Sequence, residues 1–369
     1  MKIVLYLGQL DVGGAEGQAL LLARGLRARG HDLLLVTEEG RLGAVPPDLL
    51  AAVAEVPRRP RRARLGALRE ILAAARADVL HCQLPVANLW GTIAGRGAGV
   101  PVVIISFLST DPWKKWYHRL ADRYASRRAD GLWCNSRGVA ELYGRRLGRA
   151  ASKIRLIYNG VDLDRFDPGR HLTSREETRR AELHLPAGAR LVVNVANLYA
   201  VKNHQLLLRA LGRLHAELAA GARPHLLLLG EGPEKANILA EAGRLGLLPY
   251  LRLLGSVADV ERYLAAADVF VLSSEAEGFS NALLEAMASG LACLASDVGG
   301  NAEALAGGAG IVFPRGDEVA LTAALRGVLE NDRRREELAV EARRRAVEKF
   351  GLERMIAETE GWYEELRRR

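Results

Sequence analysis

Three cysteines in 369 residues are too few and too scattered for a disulfide scaffold. Cys82, Cys134 and Cys293 are odd in number, and each lies in an apolar run. Neither a disulfide framework nor a zinc-ligand spacing can be assembled from them, which suits a reducing compartment. Aromatics are also scarce, at 5%, while Ala, Leu, Arg and Gly dominate. Alternating α and β layers fit that balance better than a β-sandwich. No window approaches the roughly eighteen unbroken apolar residues of a membrane span. The opening MKIVLYLGQLDVGG holds one lysine, a short apolar run and no small-residue cleavage site, so it reads as a first strand rather than a secretory leader. The expected location is the cytoplasm. A G-x-G-x-x-G fingerprint is missing too: Gly8, Gly13, Gly14 and Gly17 do not supply it, which counts against a nicotinamide dehydrogenase.

What is present points to two domains. The length suits two units of about 150 to 200 residues, and 49% hydrophobic residues can fill two cores. Charge divides unevenly. Residues 1–170 hold 27 Lys and Arg against 16 Asp and Glu, and the remainder 25 against 28, for a net charge of +8. The basic first half suits nucleic acid, an anionic membrane surface or a phosphorylated substrate.

Along the chain, short apolar runs alternate with amphipathic helices. KIVLYLG, DLLLVT, DVLHCQ, PVVIIS and GLWCNS read as strands in the first half. RLVVNVAN, HLLLLG, LRLLGS, VFVLSS and ACLAS read as strands in the second. Nearly all-apolar strands are the mark of a parallel sheet covered on both faces. Asn-Gly and Asp-Pro turn signals and a charged stretch place the interdomain connection near 160–190. Two successive doubly wound domains follow, with boundaries at 1–165 and 166–351. The closing helix, about 352–369, has apolar positions at Leu352, Met355, Ile356, Trp362, Tyr363 and Leu366 and is placed to pack back on the first domain. Ligands in such sheets bind at the carboxyl ends of strands.

Three stretches at strand ends carry candidate chemistry. Gly13 and Gly14 open the first helix, where backbone N–H groups and the helix dipole favour an anion; a plain tight turn is the competing reading. Lys202, between the first strand and helix of the second domain, reaches a phosphate as a mobile point charge, with Asn203 as the N-cap beside it. SSEAEGFSNALLEAMASG places Glu277 in a strand-end loop and Glu285 inside the next helix, which Ser280 or Asn281 caps. Either acid alone suits a protein surface. Together, with the N–H groups of Gly278 and Phe279 between them, they suit a sugar, a diphosphate and a ribose.

These residues carry a resemblance. GGAE, DVLHCQLPVANLWG, IRLIYNGVD, KNHQLLLRAL, LLLLGEGP and EGFSNALLEAMASGLACLASDVGG resemble retaining glycosyltransferases of family 4, nearly end to end. The two glutamates with Gly-Phe are the most specific of these marks. The resemblance implies an α/β GT-B fold, two Rossmann-like doubly wound domains facing across a cleft. It implies an EC 2.4 hexosyltransferase that uses a UDP-sugar and needs no metal or other cofactor. Glu277 would contact the donor sugar, Glu285 the ribose, and Gly13, Gly14 and Lys202 the diphosphate; Ser256 and Val257 would lie near the base. Glu277 and Lys202 are the candidate catalytic residues. Two departures stand out. Asn197 occupies the position where the family usually has an arginine, and the usual histidine after PVVIIS is absent, its position falling near Phe107. His81 resembles a second family histidine and is the acceptor-side candidate, beside the equally open reading of a satisfied strand-end histidine.

The acceptor is expected to be a growing cell-surface glycan or lipid-linked saccharide. Basic residues at Arg58, Arg59, Arg61, Arg62, Arg64 and Arg69, and a stretch from Trp113 to Arg128 that mixes Trp and Tyr with Lys and Arg, suit an anionic membrane surface. A solvated arginine-rich face is the alternative. No nucleic-acid module is recognised. The expected site of action is cytoplasmic, peripheral on the inner face of the plasma membrane. Another GT-B activity and a non-catalytic nucleotide-sugar binder stay open.

Overall fold

The computed structural model describes residues 1–8, 13–40, 45–111 and 113–369. It divides into two units: Met1–Gly160 with Leu352–Arg369, and Val161–Gly351.

The first unit is built on a seven-stranded parallel sheet: β1 (Lys2–Leu7), β2 (Asp32–Glu38), β3 (Val53–Val56), β4 (Val79–Gln83), β5 (Val102–Phe107), β6 (Gly131–Cys134) and β7 (Ile154–Leu156). The order is β3-β2-β1-β4-β5-β6-β7. Helices α1 (Gly14–Ala28), α2 (Pro47–Leu50), α3 (Arg61–Ala75), α4 (Pro85–Gly97), α5 (Trp116–Arg128) and α6 (Arg137–Leu147) make the crossovers. β1, β4 and β5 are buried at almost every position because helices cover both faces. The closing helix, Leu352–Arg368, belongs to this unit: Met355, Ile356, Trp362, Tyr363 and Leu366 join the core formed by Ile3, Leu5, Leu22 and Trp133. Gly131 permits the approach, since a Cβ there would sit 2.4 Å from the Trp362 ring.

The second unit repeats the plan with β8 (Leu191–Val195), β9 (His225–Leu229), β10 (Leu251–Gly255), β11 (Val269–Leu272), β12 (Ala292–Ser296) and β13 (Ile311–Phe313), all parallel in the order β10-β9-β8-β11-β12-β13. Its helices are α7 (Leu172–Glu177), α8 (His204–Glu217), α9 (Lys235–Arg244), α10 (Val260–Ala266), α11 (Asn281–Ala288), α12 (Asn301–Ala304), α13 (Glu318–Leu329) and α14 (Asp332–Lys349); the closing helix of the first unit is α15. The stretch expected to connect the domains is folded onto this unit. Arg175 and Arg179 pair with Asp268 at 3.0 and 3.3 Å, and Arg179 also bonds the Ala266 carbonyl. Two of the arginines that give it a linker-like composition are thus internal partners.

Candidate functional site

The strand order of the second sheet locates a site. Crossovers run outward in opposite directions from β8 and β11, which makes the carboxyl ends of these two strands a switch point, where open α/β sheets take their ligands. Lys202 lies in the loop after β8 and Glu277 in the loop after β11. Their side chains meet, with Lys202 Nζ donating to Glu277 Oε1 at 2.6 Å. Ser274 Oγ donates to the same oxygen at 2.7 Å. The pair is largely enclosed, with 23% of the lysine side chain and 10% of the glutamate side chain exposed.

Four further hydrogen bonds staple the two loops together. Ser273 Oγ donates to the carbonyls of Lys202 and Asn203 at 3.1 and 3.0 Å. Glu275 N donates to Val201 O at 2.8 Å. Asn203 Nδ2 donates to Glu275 Oε1. Asn203 takes the left-handed conformation (φ 47°, ψ 51°), which asparagine tolerates, and caps α8 by accepting from Leu206 N. Lys202 is therefore delivered by a turn whose shape depends on its neighbour.

The loop after β12 supports Glu277 from a second side. Gly300 N donates to Gly278 O at 2.7 Å, and Ser296 Oγ to Ser274 O at 2.7 Å. Gly299 has φ +55°, and a Cβ there would lie 2.4 Å from the Glu277 carbonyl oxygen, so only glycine fits. Gly278 is buried. Phe279 is an anchor: its ring is 5% exposed and packs edge-on against Phe350 at 5.3 Å.

Glu285 sits in the second turn of α11, which Ser280 caps through Leu283 N. Burial pushes its carboxyl up to about 7; Arg165 opposes the shift and Glu261 adds to it. Arg165 pairs with Glu261 at 2.8 Å and donates to Ala258 O at 2.8 Å, which ties down the loop that carries Ser256 and Val257. Val257 is half-buried and Ser256 exposed. Asn197 is half-buried in the loop after β8, where its carbonyl accepts from Tyr199 N at 2.8 Å.

In the first unit, Gly13 caps α1 in extended backbone and Gly14 is its first residue. The turn is not an open nest. The Glu16 carboxylate folds over it, with Oε2 2.4 Å from where a Gly13 Cβ would be. An anion received here requires that carboxylate to swing aside. Residues 9–12, which lead into the turn, lie outside the described residues.

His81 is not at a surface. It is wholly buried, with Nδ1 2.5 Å from the Tyr363 hydroxyl, Nε2 2.7 Å from Ser106 Oγ and its ring against Trp133. Burial pushes its pKa down to about 3. A neutral imidazole with both nitrogens hydrogen-bonded inside the core is a core polar group. Phe107 is likewise buried, stacked on Tyr143 at 3.9 Å. Arg64, counted among the basic residues, is also buried and pairs with Glu38 at 3.0 Å.

Sequence reasoning did not find Ser273, Ser274, Glu275, Gly299 or Arg165. The Ser-Ser-Glu just ahead of Glu277 was a usable signal, since polar residues at a strand end have to bond something. Arg165 had none, because it meets Glu285 only through the fold. Among the described residues, no group of three or more His, Cys, Asp or Glu is placed to hold a metal ion.

Two doubly wound parallel sheets, the second with polar groups converging at its switch point, define an α/β protein of the Rossmann-like kind. Comparison with known proteins gives the family. Residues 12–165 match the model described as Glycosyltransferase Family 4, and residues 189–331 match Glycosyl transferases group 1. The chain belongs to glycosyltransferase family 4. It is 29% identical over 242 residues, 63% of this chain, to the Escherichia coli protein named UDP-Gal:alpha-D-GlcNAc-diphosphoundecaprenol alpha-1,3-galactosyltransferase. It is 29% identical over 221 residues, 59% of this chain, to the Campylobacter jejuni protein named N-acetylgalactosamine-N,N'-diacetylbacillosaminyl-diphospho-undecaprenol 4-alpha-N-acetylgalactosaminyltransferase. The matched stretches span 61% and 56% of those relatives' own lengths. The Anabaena protein Alr3699/HepE, solved in complex with UDP, superimposes with a TM-score of 0.87 at 21% identity, over 99% of this chain and 100% of that one. The fold is GT-B.

Proposed function

We propose that this chain is a retaining glycosyltransferase that moves a hexosyl group from a UDP-sugar to a lipid-linked or glycan acceptor in cell-surface polysaccharide synthesis. The observation that carries the reading is the Lys202–Glu277 pair at the switch point, with Glu285 eight residues further on. Glu277 accepts hydrogen bonds from the donor sugar and fixes its orientation. Lys202, already beside that carboxylate, offsets the charge of the departing diphosphate without a metal. Glu285 receives the ribose hydroxyls, with Val257 and Ser256 near the base, and Gly13, Gly14 and the main chain of Gly278 and Phe279 serve the diphosphate. The new bond forms on the face the diphosphate leaves, so no side chain here acts as nucleophile. The names of the E. coli and C. jejuni relatives, with their diphospho-undecaprenol substrates, support a lipid-linked acceptor. No helix among the described residues is long and apolar enough to cross a membrane.

A second reading, a nucleotide-sugar binder without turnover, is favoured by Asn197 in place of the family arginine and by Glu16 over the glycine turn. The test is incubation with UDP-sugars and a diphosphate-linked lipid saccharide, with the product's anomeric configuration read by proton NMR. Retained configuration is expected. Inversion overturns the mechanism, and UDP binding with no product favours the binder.

A further inference from the structure

Among the described residues of the second unit, Tyr199 is the one Trp, Tyr or Phe side chain that stands exposed, at 53%. The other rings of this unit are buried or half-buried. Val201 is 42% exposed, and Ala200 between the two is exposed as well. All three fall in the loop after β8, directly before Lys202. A Tyr-Ala-Val run left in water beside a paired lysine and glutamate costs free energy that a ligand with an apolar face would recover.

The loop holds the ring's backbone in place before any ligand arrives. Leu198 is wholly buried; its N–H donates to Glu231 O at 2.9 Å and its carbonyl accepts from Glu234 N at 3.0 Å. Gly232 allows that close seat, since a Cβ there would lie 2.5 Å from the Leu198 carbonyl oxygen. Beside this anchor Tyr199 N donates to Asn197 O at 2.8 Å, and Tyr199 O accepts from Lys202 N at 2.9 Å. Val201 O accepts from Glu275 N at 2.8 Å. The main chain on both sides of Tyr199 is therefore fixed, and binding has little left to order there.

The place of the ring in the sheet selects the ligand. Ser256 and Val257, where the base is set, follow β10, which lies two strands from β8 and so roughly 10 Å away. The donor sugar belongs to Glu277, on the neighbouring strand's loop, and that carboxylate is largely enclosed while Tyr199 stands open. What must come in beside an enclosed donor sugar is the acceptor, whose hydroxyl has to approach the donor's anomeric carbon to about 3.5 Å. A pyranose presents C–H groups on its faces and hydroxyls around its edge. The negative face of an aromatic ring suits the first, and an uncharged amide such as that of half-buried Asn197 suits the second. We propose that Tyr199 is a stacking platform for the pyranose of the acceptor saccharide, with Asn197 beside it for a hydroxyl. This deepens the glycosyltransferase reading and rests on it.

The test is ligand-observed NMR titration of the full chain, saturated with UDP, with methyl β-glucoside, methyl β-galactoside and their N-acetylhexosamine counterparts. Wild type is expected to bind at least one of them, with the protons of one sugar face shifted upfield by the ring current. Tyr199→Ala, at an exposed position that leaves the core intact, should weaken that binding on the order of 10-fold and remove the upfield shift. Tyr199→Phe keeps the ring and should bind as wild type does. UDP affinity, measured by calorimetry, stays unchanged in both variants. No glycoside binding by wild type, or undiminished binding by Tyr199→Ala, overturns the proposal. Equal loss in Tyr199→Phe also overturns it, by assigning the contact to the hydroxyl, and a fall in UDP affinity in Tyr199→Ala does so by placing the ring on the donor. Absence of sugar transfer by wild type with ring-dependent glycoside binding intact would instead count against the glycosyltransferase reading alone.

Discussion

Replacing Glu285 by glutamine should stabilise the protein at alkaline pH while weakening its grip on the donor. The carboxyl has its pKa pushed up to about 7 from an ordinary 4.5, chiefly by burial. The sign follows from proton binding. Between pH 4.5 and 7 the folded protein holds a proton that the unfolded chain has released, so this group's contribution falls as pH rises through that window. Between pH 5 and pH 8 the change is at most about 2.5 kcal/mol. Glu285 keeps some contact with solvent, and screening there brings the expected figure to about 1 kcal/mol. The assay is urea unfolding of wild type and Glu285→Gln at pH 5 and pH 8. The histidines titrate alike in both proteins, so they cancel in the difference. The glutamine variant should gain about 1 kcal/mol relative to wild type on going from pH 5 to pH 8, and should bind UDP more weakly. An unchanged difference, or one of opposite sign, would refute the claim that the helix holds a costly carboxylate for a ligand.

Asn203→Ala removes the α8 cap and the hydrogen bond that ties Glu275 to it, so stability should drop by about 1 kcal/mol and donor turnover on the order of 10-fold. Asn203→Gly, which suits the left-handed backbone, should recover the stability but not the turnover, as read by melting and steady-state kinetics. Gly299→Ala places a methyl against the Glu277 carbonyl and should cut turnover while UDP affinity, measured by calorimetry, changes less. His81→Ala should cost about 3 kcal/mol by leaving a cavity and stranding the Tyr363 and Ser106 hydroxyls. Because burial holds His81 near 3 and His204 near 4, their contribution is complete above pH 6.5 and is lost as pH falls toward those values. Melting of wild type and His204→Gln below pH 6.5 checks this, with the shallower fall expected in the variant.

Strands such as KIVLYL and VFVL were legible because a parallel sheet buried on both faces demands unbroken apolar runs. β3 and β13 were not, being short edge strands whose residues are half-buried. The segment 161–190 looked like a linker because its arginines advertise solvent, whereas Arg175 and Arg179 spend their charge on Asp268. Within the site, residues that carry an ionic or capping role in their own loop were readable: Lys202, Asn203, Glu277 and Ser280. Residues whose role is to hold another loop, such as Gly299 under Glu277 and Arg165 beside Glu285, have no local pattern. His81 was open between two readings in the sequence, site chemistry or a satisfied strand-end histidine, and its partner Tyr363 comes from the closing helix, which no local pattern foretells.

The central claim is that Glu277, paired with Lys202, handles the sugar of a nucleotide donor. Its most direct test is UDP release from a panel of UDP-sugars by wild type, with Glu277→Ala beside it. At least one donor should turn over in wild type, and Glu277→Ala should be slower by on the order of 100-fold while still binding UDP. Equal turnover of that donor by both proteins would contradict the account.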